Sequence, residues 1–446
     1  MLTLRDLILF SVVAVVNLNL VPAFATSGYP ALTLLVLALA GFLLPQGVAV
    51  AAFARKYPEE GGIYIWTKAS FGEFHGFICG WCYWLTNSFY VPTLLFYLVG
   101  VGLYIGGTET AGEMQNRTLV PLAALALLWA FTWLCIRGLG VGRWINNLGA
   151  VAAALTTLAM IAVGVAALAR PDARSAAHVS LVPALSDWGT ISAFSTICLA
   201  MVGLELGATM AGEIKNPARD IPRAALIGVA ACGALYLAAT LAMLLALPAS
   251  EISMIQGVLQ AVDRIGAQLG ASWVVAPLAL ALTLSIAGAA VAWLAGGARI
   301  PFVAGLDRFL PAALGKIHPR YATPHVALIV QAAISSGFIL FSLFGVDVFQ
   351  AYVTLLRLTV DTNLIPFLYL FAGLVRLARA QGNAWLALNG YVGFFTTALA
   401  MLVTFLPDEH ITNVWLFEAK LVTGLGAFLA AAVFCFYFFR RRAQTG

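Results

Sequence analysis

The stretch "VGLELGATMAGEIKNPARDIPRA", residues 202–224, decides how this chain is read. It sets the carboxylate of Glu205 in a run that carries no other charge back to Trp188. A charged side chain at mid-membrane depth costs roughly 2.5–3.5 kcal/mol on insertion scales, so something must hold it. Gly203 and Gly207 flank it, and each glycine lowers helix propensity by roughly 1 kcal/mol relative to alanine. The expectation is a local break in the helix, with Glu205 accepting hydrogen bonds from the backbone N–H groups that the break frees.

Composition supports the membrane setting. Of 446 residues, 62% are hydrophobic and 10% charged, against roughly 45–50% and about 25% in soluble domains. Apolar stretches bounded by charge, Pro or Gly give twelve candidate spans: 7–27, 31–54, 77–105, 118–136, 145–169, 190–211, 223–247, 273–297, 325–343, 349–374, 385–406 and 414–439. Each suits the roughly 20 residues that cross a bilayer as a helix. The chain therefore reads as a single polytopic membrane domain over 1–446, with no long polar segment or linker.

Lys and Arg are retained on the cytoplasmic side. With the N-terminus inside, the inner loops and tails hold Arg5, Arg55, Lys56, Lys68, Arg137, Arg143, Lys215, Arg219, Arg223, Arg299, Arg308, Lys316, Arg320, Arg376, Arg379 and Arg440 to Arg442, which is 18 of 24. The opposite face holds Arg117, Arg170, Arg174 and Arg264, while Arg357 and Lys420 lie within spans. Both termini are expected in the cytoplasm of a cell-membrane protein. The net charge of +5 follows from this topology, and no nucleic-acid partner is implied.

The beginning of the chain resembles a signal peptide, since Ala23-Phe24-Ala25 has the A-x-A pattern of a cleavage site. Asp6 beside Arg5, two asparagines in the apolar stretch and eleven further spans argue against cleavage. All six cysteines fall within predicted spans, and the Cys79 and Cys82 pair lacks a second pair or nearby His, so they read as small buried residues. No HExxH pair, phosphate loop or nucleophile elbow occurs. Neither an enzyme nor a metal or organic cofactor is expected.

Span 1 repeats the theme of the opening stretch. In "AVVNLNLVPAFATSG", residues 14–28, Asn17, Asn19 and Pro22 sit near the middle. Proline removes a backbone donor and asparagine competes for backbone groups, so this helix is also expected to be broken. Spans 1 and 6 are five apart. Interrupted helices in matching positions of two halves point to an inverted-repeat transporter with its substrate near the midplane. Two ordinary kinks in a bundle are the plain alternative.

Three cytoplasmic segments add a family resemblance. "YPEEGGIYIWTKASFGEFHGFICGWCYW" (57–84), the opening stretch, and "ARIPFVAGLDRFLPAALGKIHPRYATP" (298–324) resemble, in order, conserved segments of the amino acid–polyamine–organocation transporters. "PAFATSG" (22–28) and "VTFLPDEHI" (403–411) look closest to the glutamate/GABA antiporter branch. The resemblance implies an all-α membrane fold of twelve helices. Two intertwined inverted five-helix repeats, about 7–169 and 188–375, have broken helices 1 and 6, and helices 11 and 12 follow at about 385–439. It implies alternating-access transport of an amino acid or related amine.

The resemblance also nominates site residues. Most family members carry G-S-G at the helix 1 break, whereas this chain has Val15-Val16-Asn17, with Asn19 just beyond. Leu199 stands four residues before Gly203, where many relatives place a gating aromatic. Thr86, Asn87, Tyr90 and Val91 fall at lining positions of helix 3, and Trp293 at one of helix 8. Each has a bland reading as well: helix pairing for Asn87 and Tyr90, core or lipid packing for Trp293. Arg357, mid-span in helix 10, has Asp361 four residues on, so an internal ion pair is the favoured reading. The sharper one is that its guanidinium grips a substrate carboxylate bidentately.

Span 5 has no ionisable side chain, and Thr156 and Thr157 there are expected to bond their own helix. Exchange of one substrate for another needs no coupling ion, so an exchanger is the first expectation. Proton symport through Glu205 is the alternative, as a desolvated carboxylate can titrate. A sensor or assembly subunit that keeps the fold without turnover is an alternative of another class, and a channel is disfavoured because no filter motif is visible. The partners implied are the substrate, the lipid bilayer and protons in the symport case, with the chain a monomer or homodimer.

Overall fold

A computed structural model describes residues 4–5, 7–8, 15, 17–57, 62–137, 139–169, 180–184, 186–298, 309–407 and 411–445. Eleven helices among them are long and apolar enough to cross a membrane. The remaining span, 7–27, lies partly outside the described residues, and its described part is a 3-10 turn, Leu18–Leu20, running into α1, Val21–Ala25. Among the described residues there is no β-strand.

The spanning helices follow in order. They are α2 (Pro30–Lys56), α4 (Glu73–Gly106), α5 (Leu119–Arg137) and α6 (Leu139–Leu168). Between the first two lies a short helix, α3 (Gly62–Phe71), which buries Ile63, Tyr64 and Trp66. Span 6 is α7 (Trp188–Ala200) followed by a 3-10 segment, Leu204–Glu213. The second half continues with α8 (Pro217–Ala246), α9 (Gly257–Gln268) and α10 (Val275–Gly297). Last come α11 (His325–Leu343), α12 (Val348–Ala380), α13 (Ala384–Val403) and α14 (Val414–Thr445). Of these, α3 and the amphipathic α9 are not spans, and the hydropathy reading treats both as loop.

Capping positions the termini around the core. Asp187 Oδ1 accepts from Thr190 N at 3.0 Å to start α7, Asp347 Oδ1 from Gln350 N at 2.8 Å to start α12, and Asn383 Oδ1 from Leu386 N at 3.0 Å to start α13. Each satisfies one of the N–H groups a helix start leaves open. Helix α6 packs along α10, α8 along α2, α12 along α13, and α4 against α10, α11 and α12. Helix α4 and the first half of span 6 are the most enclosed, whereas α14 lies at the periphery with much of its surface outward.

Two features of the breaks differ from expectation. Pro22 lies in the first turn of α1, where its missing N–H has no helical acceptor to lose. The interruption is instead at Asn17, whose φ of −103° and ψ of 87° leave the helical region. In span 6 the break falls at 201–203 and not symmetrically about Glu205: Gly203 has φ +136°, a conformation that strains any residue with a Cβ. Beyond it the chain winds as a 3-10 helix through Gly207.

Three other intramembrane polar groups are satisfied by backbone carbonyls. Thr156 and Thr157 donate to Ala152 and Ala153 carbonyls, each at 2.9 Å. Lys420 is buried, yet its ammonium reaches the carbonyl of Ser342 at 2.6 Å, in the last turn of α11. A cation is favoured at that end of a helix. The six cysteines are free thiols, five of them buried.

Candidate functional site

A broken helix leaves carbonyls without their usual partners. At the span 6 break, Val202 N bonds back to Leu199 O at 3.1 Å in a tight turn, and the Ala200 carbonyl lies beyond it. The Tyr236 hydroxyl, from the middle of α8, lies 2.6 Å from that carbonyl. It lies equally 2.6 Å from the Val15 carbonyl at the span 1 break, and accepts from Asn17 N–H at 2.9 Å. Having one proton, it donates to one carbonyl at a time while accepting from the amide. One buried hydroxyl therefore ties the two interruptions together.

Glu205 is fully buried on the other side of the span 6 break. Its Oε2 accepts from Gly203 N–H at 3.1 Å and from Gln46 Nε2 of α2 at 2.9 Å. Its Oε1 accepts from the Tyr83 hydroxyl of α4 at 2.9 Å. The carboxylate so closes the backbone turn and joins three helices, without a cation within 4.0 Å among the described residues. Hydrogen bonds to a charged group are worth about 1.5–3 kcal/mol each. Three of them outweigh the insertion cost that the sequence raised.

The aromatic and amide residues gather beside the breaks. Tyr90 of α4 meets Trp293 of α10 edge to face, ring centroids 5.3 Å apart at 84°. Its hydroxyl lies beside the Asn19 side chain, and Tyr236 and Tyr352 are buried nearby. Asn17 Nδ2 turns back to the Val15 carbonyl at 3.3 Å. Leu199 is buried in the last turn of α7, and Val91 is buried in α4. Val16 lies outside the described residues.

Three other nominees are engaged differently. Thr86 Oγ1 donates to Cys82 O of its own helix at 2.6 Å, at the turn that bends α4. Asn87 Nδ2 donates to Trp84 O at 2.9 Å, and the side chain packs on Gly297 of α10. A Cβ at Gly297 would come 2.6 Å from Asn87 Nδ2, so glycine permits this approach of α4 to α10. Arg357 does not pair with Asp361: no N···O distance between them is within 4.0 Å, and both Asp361 oxygens lack a hydrogen-bond partner. The guanidinium instead donates to Ser192 O and Ser195 Oγ, both at 2.7 Å, and to Ser192 Oγ at 2.6 Å. Three oxygens in one fork-shaped array on α7 match its rigid donors better than a carboxylate one turn along its own helix.

Arg357 lies near the start of α7, about 12 Å along that helix from Ala200 at 1.5 Å per residue. There it lines a cavity of about 190 Å³ with Thr26, Ser27, Asp187, Thr190 and Thr196. The structure thus separates the nominated residues into two places. Val15, Asn17, Asn19, Tyr90, Trp293 and Gly203 surround the breaks, and Arg357 stands in a vestibule toward one end. Tyr236, Gln46 and Tyr83 were missed. Gln46 is the one amide side chain of span 2 and Tyr236 the one aromatic of span 7, which was the available signal for both.

Two interrupted helices whose loose ends meet within the bundle define a membrane fold of the LeuT type. The fold matches the crystal structure of MhsT in complex with L-phenylalanine, with TM-score 0.55 and 17% identity, covering 90% of this chain and 97% of that one. The family model described as amino acid permease matches residues 2–438. The chain belongs to that family. Among its relatives, an uncharacterized transporter of Legionella pneumophila is 28% identical over 448 residues, 96% of this chain and 95% of that one. A branched-chain amino acid permease of Bacillus subtilis is 27% identical, covering 68% and 66%. A glutamate/gamma-aminobutyrate antiporter of Lactococcus lactis is 22% identical, covering 88% and 81%. The relatives are transporters and permeases, and this chain is a multi-pass membrane protein of their kind, not an enzyme.

Proposed function

We propose that this protein carries an amino acid or related amine across the cell membrane by alternating access, as an exchanger, with both termini in the cytoplasm. The observation that carries this reading is the Tyr236 hydroxyl between Val15, Asn17 and Ala200. It keeps two sets of unwound backbone groups side by side at the place where a substrate's carboxylate and amine need acceptors and donors. Asn19, Tyr90 and Trp293 supply the polar and aromatic wall beside it. The two inverted repeats, 7–169 and 188–375, would rock against each other around this point, with 385–439 outside them.

Exchange is favoured over proton symport by how Glu205 is used. Its oxygens are already taken by Gly203, Gln46 and Tyr83, an arrangement suited to a fixed brace. Span 5 supplies no ionisable side chain for coupling, and its Thr156 and Thr157 hydroxyls are spent on their own helix. The antiporter among the relatives agrees with this reading, whereas the permease name leaves the mode open.

The test is counterflow in liposomes loaded with one amino acid at a time, at symmetric pH. Exchange predicts uptake of label only when unlabelled substrate is inside. Uptake that instead requires a pH gradient and no internal substrate would establish symport, and no flux from a folded, ligand-stabilised preparation would remove the transport reading.

A further inference from the structure

A second cavity, of about 470 Å³, opens between the ends of α2, α8 and α13, at the end of the bundle rich in Lys and Arg. Its inner wall is apolar, formed by the buried Val48 and Ala51, and its rim carries Leu226, Arg55, Lys56 and Asn383. Arg55 and Lys56 form the last turn of α2, after a long apolar run that places them where hydrocarbon gives way to headgroups. Neither is in an ion pair: the ion pairs among the described residues are Lys68 with Glu73 and Arg264 with Glu251. Lys56 lies over the ring of its neighbour Tyr57, 5.3 Å from the centroid, which leaves its three donors free to turn outward. No described acid lines the cavity.

The surroundings add to the same sign. The 20-residue helix α13 begins at this rim, and its first turn presents backbone N–H groups of which Asn383 Oδ1 takes Leu386 N. A helix start favours an anion. Two other basic residues nearby are already committed: Arg376 donates to Ser70 O at 2.5 Å and Arg379 to the Tyr391 hydroxyl. Trp385, 59% exposed, and Leu226, 43% exposed, face outward beside the opening, as residues at a membrane interface do.

We propose that this cavity binds an anionic glycerophospholipid, its phosphate between Arg55, Lys56 and the start of α13, and an acyl chain along Val48, Ala51 and Leu226. Free phosphate shares the headgroup chemistry, but the apolar wall and the outward Trp385 fit only a molecule with a chain. Basic pockets between helices on this side of a membrane are suited to such headgroups. The site stands apart from the helix breaks, and the proposal holds whichever substrate is carried.

Native mass spectrometry of the full chain released from mixed phosphatidylglycerol and phosphatidylcholine nanodiscs tests it. The wild type should retain one phosphatidylglycerol in preference to phosphatidylcholine, by roughly 30-fold from two basic side chains. Arg55→Gln with Lys56→Gln should abolish that preference, while Arg440→Gln with Arg441→Gln should keep it. Leu226→Trp, which crowds the apolar mouth of the cavity and leaves both charges, should also displace the lipid, and serves if the double variant does not fold. Retained preference in both the double variant and Leu226→Trp overturns the proposal. So does inorganic phosphate that competes the lipid away and raises the melting temperature as well as the lipid does, since the ligand is then free phosphate.

Discussion

Replacing Tyr236 by Phe removes one oxygen from the point where the two broken helices meet. The ring stays: it packs against Phe24 at 6.3 Å between centroids, 64° apart, and its burial is unchanged. What is lost is the acceptor for Asn17 N–H and the donor shared by the Val15 and Ala200 carbonyls. A buried group left unsatisfied costs about 1–3 kcal/mol. One amide and one carbonyl thus place the total at roughly 2–6 kcal/mol, the lower figure if the breaks relax onto each other. If 2 kcal/mol of this is expressed in the geometry that receives substrate, affinity falls about 30-fold. Thermal unfolding of the purified protein, with and without a stabilising amino acid, reads both quantities. Tyr97→Phe and Tyr352→Phe are internal controls, because those two hydroxyls are buried without partners and their removal should be neutral or stabilising. A Tyr236→Phe protein with the melting temperature and affinity of the wild type would refute the assignment of this hydroxyl as the tie between the breaks.

Other substitutions separate the remaining roles. Glu205→Gln turns one acceptor oxygen into a donor facing Gly203 N–H, the Gln46 amide or the Tyr83 hydroxyl, and is expected to lose about 1.5–3 kcal/mol of stability. Its residual counterflow should keep the wild-type pH profile, and a profile that flattens would make Glu205 a proton carrier. Arg357→Leu should cost about 1.5–3 kcal/mol in a thermal melt, as Ser192 and Ser195 can fall back on their own helix. Arg357→Lys should recover only part of it, since an ammonium cannot fill the three-oxygen array; a counterflow panel that keeps its ratio of anionic to neutral substrates in Arg357→Leu assigns the residue to holding α7 alone. Gly297→Ala places a Cβ 2.6 Å from Asn87 Nδ2 and should destabilise by about 1–3 kcal/mol, relieved by a second change, Asn87→Ala.

The positions of the breaks show how far local chemistry reaches. Asn17 and Gly203 are both at interruptions, and both are residue types that weaken a helix, so a reader of the chain meets them without a structure. Pro22 belongs to the same class, yet it stands one turn past its break, because proline is harmless at a helix start and only the ordered chain says where that start is. Gly207 lies inside a 3-10 segment for a related reason: a glycine permits a break without requiring one.

The side-chain partners were less accessible. Arg357 and Asp361 share a helix face, which makes a pair conceivable, and the serines that hold Arg357 are 165 and 162 residues away in the chain. Tyr236 is 221 residues from Val15. Spacing along a helix constrains neighbours within about one turn; it carries nothing about which distant helix packs alongside.

By itself, then, the sequence determined what depends on transfer from water to lipid and on backbone preference: twelve apolar spans, the Lys and Arg asymmetry, two interrupted helices, and a carboxylate that must be held. Those are sums over local terms, and each residue contributes whatever its neighbours in space. The tertiary structure alone decided which groups do the holding: Tyr236 for both breaks, Gln46 and Tyr83 for Glu205, and the α7 serines for Arg357. A hydrogen bond depends on a few tenths of an ångström between helices far apart in the chain, and that distance exists only once the bundle has packed.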